Sequence, residues 1–286
     1  RFVTYTPKYF WCNWVVVDAL QTTYERAIVD IRRGGSTFTG TTSNVRRLKL
    51  LSPGKEPTYR VVLDGQTLDV APAPYLAGIA HLIATRVGER WMAEPPNSGG
   101  RLEKRAELQG PIDDAFCGRF DVTAPSAAGW HADTDRHIRA ADVRFAALWA
   151  RYFRGDLPRS GRPHPENAPP NEILFGDPQS NPKIAAVLPS LPITWTKEKL
   201  VVNGREYDPA THLPVLIYPH PKTGRYVVLN SGHTFGEADL KGTNALLYPR
   251  LGDWAVIRPT PTDRDPAAYE VVAAGLFDEN WQFPKK

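Results

Sequence analysis

Residues 171–191, "NEILFGDPQSNPKIAAVLPSL", decide the fold. A short apolar strand, "NEILFGD", runs into a turn and then into "NPKIAAVLPSL", a short helix whose first position is Pro182. Ser180 or Asn181 caps that helix, because a side-chain oxygen there accepts from the first free backbone N–H groups. A strand feeding directly into a helix is the unit from which sheets with helices on their faces are built.

Working outward, the same alternation recurs. Upstream, "ELQGPIDDAFCGRFDVTAPS" places a strand after a Gly-Pro turn, and "ADTDRHIRAADVRFAALWARYFRG" supplies a longer helix. Ile138, Phe145, Leu148, Trp149 and Tyr152 recur there at helical spacing, with Asp133 or Thr134 as cap and Gly155 as stop. Downstream come two strands around Asn203-Gly204, the strands "LPVLIYP" and "RYVVLNSG", a short helix "EADLKGTNALLY", and the strands "DWAVIRP" and "YEVVAAGLFD". The expectation for residues 109–286 is a layered α/β domain with a mixed sheet.

Residues 1–72 read differently. Aromatic and β-branched residues alternate with polar ones, and Gly34-Gly35 and Asp64-Gly65 mark tight turns, so about six short strands form an antiparallel β-sandwich. Residues 73–108 are a connecting segment in which "APAPYLAGIAHLIATRVGERWM" forms a short helix and "AEPPNSGG" a loop. The 27 prolines and 22 glycines among 286 residues agree with many short elements joined by defined turns.

Composition limits the function classes. The net charge is +4, but 35 Lys and Arg are interspersed with 31 acids, which gives little support to a nucleic-acid partner. No apolar run approaches the roughly 20 residues that a membrane-spanning helix needs. The chain opens at Arg1, directly on strand-like sequence and with no signal-peptide pattern, as a portion of a longer protein would. Cys12 and Cys117 are either two buried thiols or one long-range disulfide, and two cysteines build no cysteine metal site.

Ligands of open α/β sheets bind beyond the carboxyl ends of the strands, so the polar residues there are the candidates. Asp113 and Asp114 are adjacent in "GPIDDAF" and could bind a metal or share a proton, although in a strand they would face opposite ways. Asp177, Ser180 and Asn181 sit at a helix start that offers N–H groups to an anion; the plainer reading is a capped turn. Ser231 and His233, in "LNSGHTFGE", project to one side of an extended segment, but no serine lies in the G-x-S-x-G elbow that exposes a nucleophile. With Glu237 these residues form a candidate ligand cleft. His131 with Asp135, and Asp133 with His137, have metal-ligand spacing on a helix, yet acids in a first turn are favoured by the helix dipole alone, and no metal or cofactor is expected. Trp11 and Trp14 suit either an aromatic binding platform or the core.

Four stretches, "ELQGPIDDAF", "LFGDPQSNPKIAAVLPSLPITWT", "HLPVLIYPHPKTGRYVVLNSGHTF" and "GDWAVI" with "VVAAGLFDENW", together resemble the C-terminal portion of bacterial serine hydrolases of the prolyl-oligopeptidase type (peptidase family S9). "FVTYTPKYFWCNWVVVDAL" is similar to the stretch that follows the catalytic domain in those proteins. The resemblance implies an accessory region without triad residues of its own, partnered by an upstream α/β-hydrolase domain of the same polypeptide. It further implies a peptide or ester substrate and a periplasmic or secreted protein. Two rivals are a small-ligand enzyme or binding domain using the cleft around Asp113, Asp177 and His233, and an interaction module that packs on a partner through exposed aromatics near Trp11 and Trp14.

Overall fold

The computed structural model describes residues 1–52, 55–76, 79–94, 102–161, 163, 169–234 and 251–284. The chain divides into two compact units, Arg1–Gln109 with Asp278–Trp281, and Gly110–Phe277 with Gln282–Lys286.

The first unit is a sandwich of two sheets. Its strands are β1 (Phe2–Thr4), β2 (Trp11–Cys12), β3 (Val15–Leu20), β4 (Ala27–Gly34), β5 (Thr37–Ser43), β6 (Val45–Ser52), β7 (Tyr59–Leu63), β8 (Gln66–Val70), β9 (Ala73–Leu76), β10 (Ile79–Val87) and β11 (Arg90–Ala93). One sheet runs β1-β4-β5-β7-β8 and the other β11-β10-β6-β3-β2, with β9 paired to β10. Pairing is antiparallel except between β5 and β7, which run parallel because β6 leaves for the opposite sheet between them. Alternation decides which side chains meet: Leu48 and Leu50 of β6 join Val17, Val29, Phe38 and Val61 in the core, whereas Arg47 and Lys49 point the other way.

The helix expected within residues 71–92 is replaced by β9, β10 and β11, and the connecting segment therefore belongs to the sandwich. Its alanines and leucines favour a helix locally, but β10 pairs with β6 over six residues and buries Leu82 and Ala84 in the shared core, and such tertiary burial outweighs a propensity worth tenths of a kcal/mol. The first unit accordingly takes in residues 73–108, expected as a connecting segment, and the second unit begins at Gly110, one residue after the expected 109. Trp14 packs on Phe38 at 5.4 Å and belongs to the core margin, while Trp11 is exposed. Cys12 is half-buried and Cys117 exposed, and both are free thiols.

On the outer face of the second sheet, Arg47 donates to Asp18 Oδ2 at 2.6 Å and also to Glu103, and Lys49 reaches Asp18 Oδ1 at 2.8 Å. Asp18, Arg47 and Glu103 are all buried. Burial pushes the Asp18 carboxyl up, but Lys49 and Arg47 more than offset this and hold it below the usual carboxylate range.

The second unit carries a six-stranded mixed sheet. β12 (Phe120–Thr123), β13 (Asn171–Leu174) and β18 (Tyr226–Leu229) are parallel; β17 (Leu213–Pro219), β19 (Trp254–Pro259) and β20 (Tyr269–Gly275) extend it antiparallel, in the order β12-β13-β18-β17-β19-β20. A separate three-stranded meander, β14 (Thr194–Trp195), β15 (Leu200–Val202) and β16 (Arg205–Tyr207), turns at Asn203-Gly204, both at positive φ. Helix α1 (Ala132–Phe153) links β12 to β13, and α2 (Pro182–Val187) follows β13. Phe120 meets Trp149 of α1 at 4.9 Å, and Phe175, in register with Ile173, meets Phe145 of α1. Glu172 points to the other face and pairs there with Lys183 of α2 at 2.7 Å. The two helices thus cover opposite faces of the parallel strands. Helix α1 starts after His131, not at an Asp133 or Thr134 cap, and ends at Phe153, two residues before the expected glycine, with Arg154 in the left-handed conformation. The helix expected over 237–248 lies outside the described residues.

The outer ion cluster gives a stability prediction. Arg47→Met deprives two buried carboxylates of a shared partner and should cost about 3–5 kcal/mol, read from hydrogen exchange of the β3 and β6 amides. Because Asp18 is held low in the folded state, its contribution is complete above about pH 4, the ordinary carboxylate value, and is lost as pH falls through the lowered one.

Candidate functional site

The carboxyl ends of β13 and β18 lie side by side, joined by one side chain. Asn230, at φ 53°, donates its own N–H to Leu174 O at 2.9 Å and accepts from Gly176 N at 2.9 Å, while its Nδ2 donates to Pro214 O at 3.4 Å. Asparagine tolerates the left-handed conformation better than most residues, which lets the chain leave β18 sharply. Gly176, at φ 137°, lets the chain leave β13 equally sharply, and a β-carbon there would strike Asn181 and Ser180.

The following turn uses every candidate that the sequence placed in it. Asp177 Oδ1 accepts from Gln179 N and Ser180 N at 3.0 and 2.8 Å, and its Oδ2 accepts from Trp130 N at 2.6 Å. The Ser180 hydroxyl accepts from Asp177 N at 2.9 Å. Asn181 caps α2 by accepting from Lys183 N at 3.0 Å and donates to Phe175 O at 2.9 Å. All three are buried and committed to backbone, so this corner positions β13 and α2.

Asp113 and Asp114 lie in a 3-10 turn, Ile112–Phe116, rather than in a strand. They diverge: Asp113 accepts from Thr234 N at 2.6 Å and from the Thr234 hydroxyl, whereas Asp114 accepts from the Tyr226 hydroxyl at 2.7 Å. Burial raises the Asp113 carboxyl above its ordinary value, against the opposing pull of Thr234 and the nearby His233. The Ser231 hydroxyl donates to Gly232 O at 2.7 Å. His233 packs edge-on to Phe145 at 5.6 Å and to Phe153 at 6.1 Å. Gly232 lies so close to the Phe145 ring that any β-carbon would overlap it, which fixes α1 over the strand ends. Glu237 lies outside the described residues.

The helix pairs also separate. His131 Nε2 meets Lys197 O at 2.7 Å, Asp135 holds Arg139 at 2.9 Å, and Asp133 holds Arg136 at 3.0 Å. Among the described residues no group of three His, Cys, Asp or Glu side chains is placed to hold a metal ion.

The strand-end scaffold borders a half-open cavity of about 110 Å³ beneath α1. Its roof is one helical stripe, His137, Ala141, Arg144, Phe145 and Leu148, and Asn230–Thr234 forms one wall. Phe175, Val215 and Ile257 line it from the sheet. Two of the sequence candidates, Ser231 and His233, reach it; Asp113 touches it only through Thr234. The residue that sequence reasoning misjudged is His137. It is buried, stands edge-on to Tyr269 at 6.1 Å, and its Nδ1 has no hydrogen-bond partner. Burial pushes the imidazole down to about pKa 4, with Arg144 adding to the fall and Asp265 opposing it, so it is neutral at physiological pH. The helical spacing that made it a metal candidate also places it on the Ala141–Phe145 face, which was the signal for burial.

Two outcomes are expected. Asn230→Ala loses two backbone bonds and keeps a strained φ, costing about 2–4 kcal/mol in denaturant unfolding, and Asn230→Gly recovers about 1 kcal/mol of that by removing the strain. Between pH 6.5 and 4 the unfolded state takes up the His137 proton before the folded state does, so stability falls by about 3 kcal/mol. Asp113, whose carboxyl is raised, works in the opposite direction, so the His137 share is the difference between the pH profiles of the parent protein and His137→Phe.

No protein-family model, curated protein or solved structure matches the chain.

Proposed function

We propose that this chain serves as a non-catalytic accessory region of a serine hydrolase of the prolyl-oligopeptidase type, orienting substrate, shielding the active site or mediating assembly with an upstream α/β-hydrolase domain. The carrying observation is the state of Ser231, two residues before His233 at the strand ends. A nucleophilic hydroxyl needs a base within hydrogen-bond reach and an acid orienting that base. The Ser231 hydroxyl instead donates to Gly232 O at 2.7 Å, and Asp113, the half-buried acid whose charge His233 favours, accepts the backbone and hydroxyl bonds of Thr234. The sequence motifs behind the resemblance supply the scaffold: "FGDPQSNP" forms the β13–α2 corner and "LNSG" the Asn230 clamp. Holding such corners needs no chemistry at them, which fits an accessory role.

The rival reading, a ligand cleft at Asp113, Asp177 and His233, is weakened by the same bonds, since Asp177 has both oxygens engaged by backbone N–H groups. A peptidase or esterase partner domain and an exported location belong to the proposal through the sequence resemblance alone.

Fluorophosphonate labelling tests it. This chain should remain unlabelled, the full-length natural protein should label, and Ser231→Ala in that protein should leave labelling intact. Label on Ser231 would overturn the proposal.

A further inference from the structure

We propose that Asp278–Trp281 is a latch: a tongue of chain that leaves the second unit, completes the first and returns, so that the two units gain and lose their folds together. The inference goes beyond the accessory role and does not depend on it.

The base of the tongue is fixed in the second unit. Phe277 N–H donates to Asp253 Oδ2 at 2.8 Å, and the Phe277 ring packs edge-on to Tyr218 of β17 at 5.6 Å. Beyond the tongue, Phe283 packs on Trp254 of β19 at 5.3 Å and on Phe277 at 5.1 Å. The two phenylalanines that flank the tongue therefore meet, and the residues between them depart as a loop whose ends are already together. Packing in the second unit thus meets the entropy of closing that loop.

The tip is fixed in the first unit. Trp281 is fully buried, and the Lys104 ammonium, itself almost wholly buried, lies 5.3 Å from its ring centre. Glu279 accepts from Thr23 N at 2.7 Å through Oε1, and from Lys104 N at 2.8 Å and Arg46 Nη2 at 3.1 Å through its backbone oxygen. Within the tongue, Trp281 N–H donates to Asp278 O at 3.1 Å and Asn280 N–H to Asp278 Oδ1 at 2.8 Å. Trp281 stands at φ 58°, and so bulky a residue keeps the left-handed conformation only where its surroundings over-determine it.

Coupling follows from this division. Without the tongue, the sandwich keeps a buried ammonium stripped of its aromatic partner, and the N–H groups of Thr23 and Lys104 lose their acceptors. When the second unit unfolds, the tongue is no longer presented as a closed loop, and the entropy of ordering it falls on the first unit. Coupling free energies are reciprocal, so the first unit stabilises the second by the same amount.

The test is hydrogen exchange of the intact protein along a urea series, reading the amides of β3 and β6 for the first unit and those of β17 and β19 for the second. In the unmodified protein both sets should lose protection at one urea midpoint. Trp281→Ala should separate them, lowering the β3 and β6 midpoint by about 1 M or more, as the loss of a buried tryptophan implies. Val61→Ala, which opens a cavity in the sandwich core, should lower the β17 and β19 midpoint as well as its own, but should leave it in place once Trp281→Ala is present. Two midpoints in the unmodified protein, one midpoint retained by Trp281→Ala, or β17 and β19 amides indifferent to Val61→Ala would overturn the proposal. The comparison of the unmodified protein with Val61→Ala needs no Trp281 variant to fold.

Discussion

The amide of Asn230 is the constraint on which the second unit turns. Two side-chain bonds, from Gly176 N and to Pro214 O, and a third from the residue's backbone N–H to Leu174 O tie β18 to the end of β13 and to β17. β13 and β18 are parallel while β17 and β18 are antiparallel, so this is where the sheet changes sense, and it is where Asn230 sits. A neutral amide suits the place because it offers both donors and an acceptor without burying a charge. Because the chain must then turn away from β18, Gly232 comes up beneath Phe145, and the position of α1 follows from that contact.

The polar residues at the strand ends therefore divide into two groups by how many hydrogen bonds the backbone asks of them. Two tight departures from parallel strands expose several N–H groups that water cannot reach, and Asp177, Ser180, Asn181 and Asn230 satisfy them. Little is left over for a ligand at that corner. Beneath α1, where Ala141 stands between His137 and Phe145, a cavity lies over the sheet.

This division explains what could be read from the sequence. The Asn181 cap with Pro182, the Asn203-Gly204 turn and the Asp64-Gly65 turn were legible because each is a local bargain between a side chain and its own backbone. The layered α/β unit was legible because helical and strand periods alternate. The strand β10 was not, since "AGIAHLIATRV" has the composition of a helix and only the distant partner β6 makes it a strand. Asp113 and Asp114 were visible as a pair, but the 3-10 turn that sends one to Thr234 and the other to Tyr226 depends on residues more than a hundred positions away. His137 was seen only beside Asp133, four residues before it, whereas the structure turns Asp133 to Arg136 and His137 to the sheet.

The same long-range logic closes the first unit. Asp278–Trp281, at the far end of the chain, packs with residues 1–109. The Trp281 indole is fully buried with the Lys104 ammonium 5.3 Å from its centre, Lys104 N–H donates to Glu279 O at 2.8 Å, and Glu279 Oε1 accepts from Thr23 N at 2.7 Å. Arg46 adds bonds to Glu279 O and to Asn280 at 3.1 and 3.2 Å. Lys104 is itself almost wholly buried, and a buried ammonium is tolerable only with partners of this kind. The sandwich is therefore contiguous in space but not in sequence: it is completed by residues that follow the last strand of the α/β unit. A boundary drawn along the chain, at residue 72 or at residue 109, leaves Lys104 without its aromatic partner. The units of this protein are defined by which charges must be covered, and the last residues of the chain supply the cover.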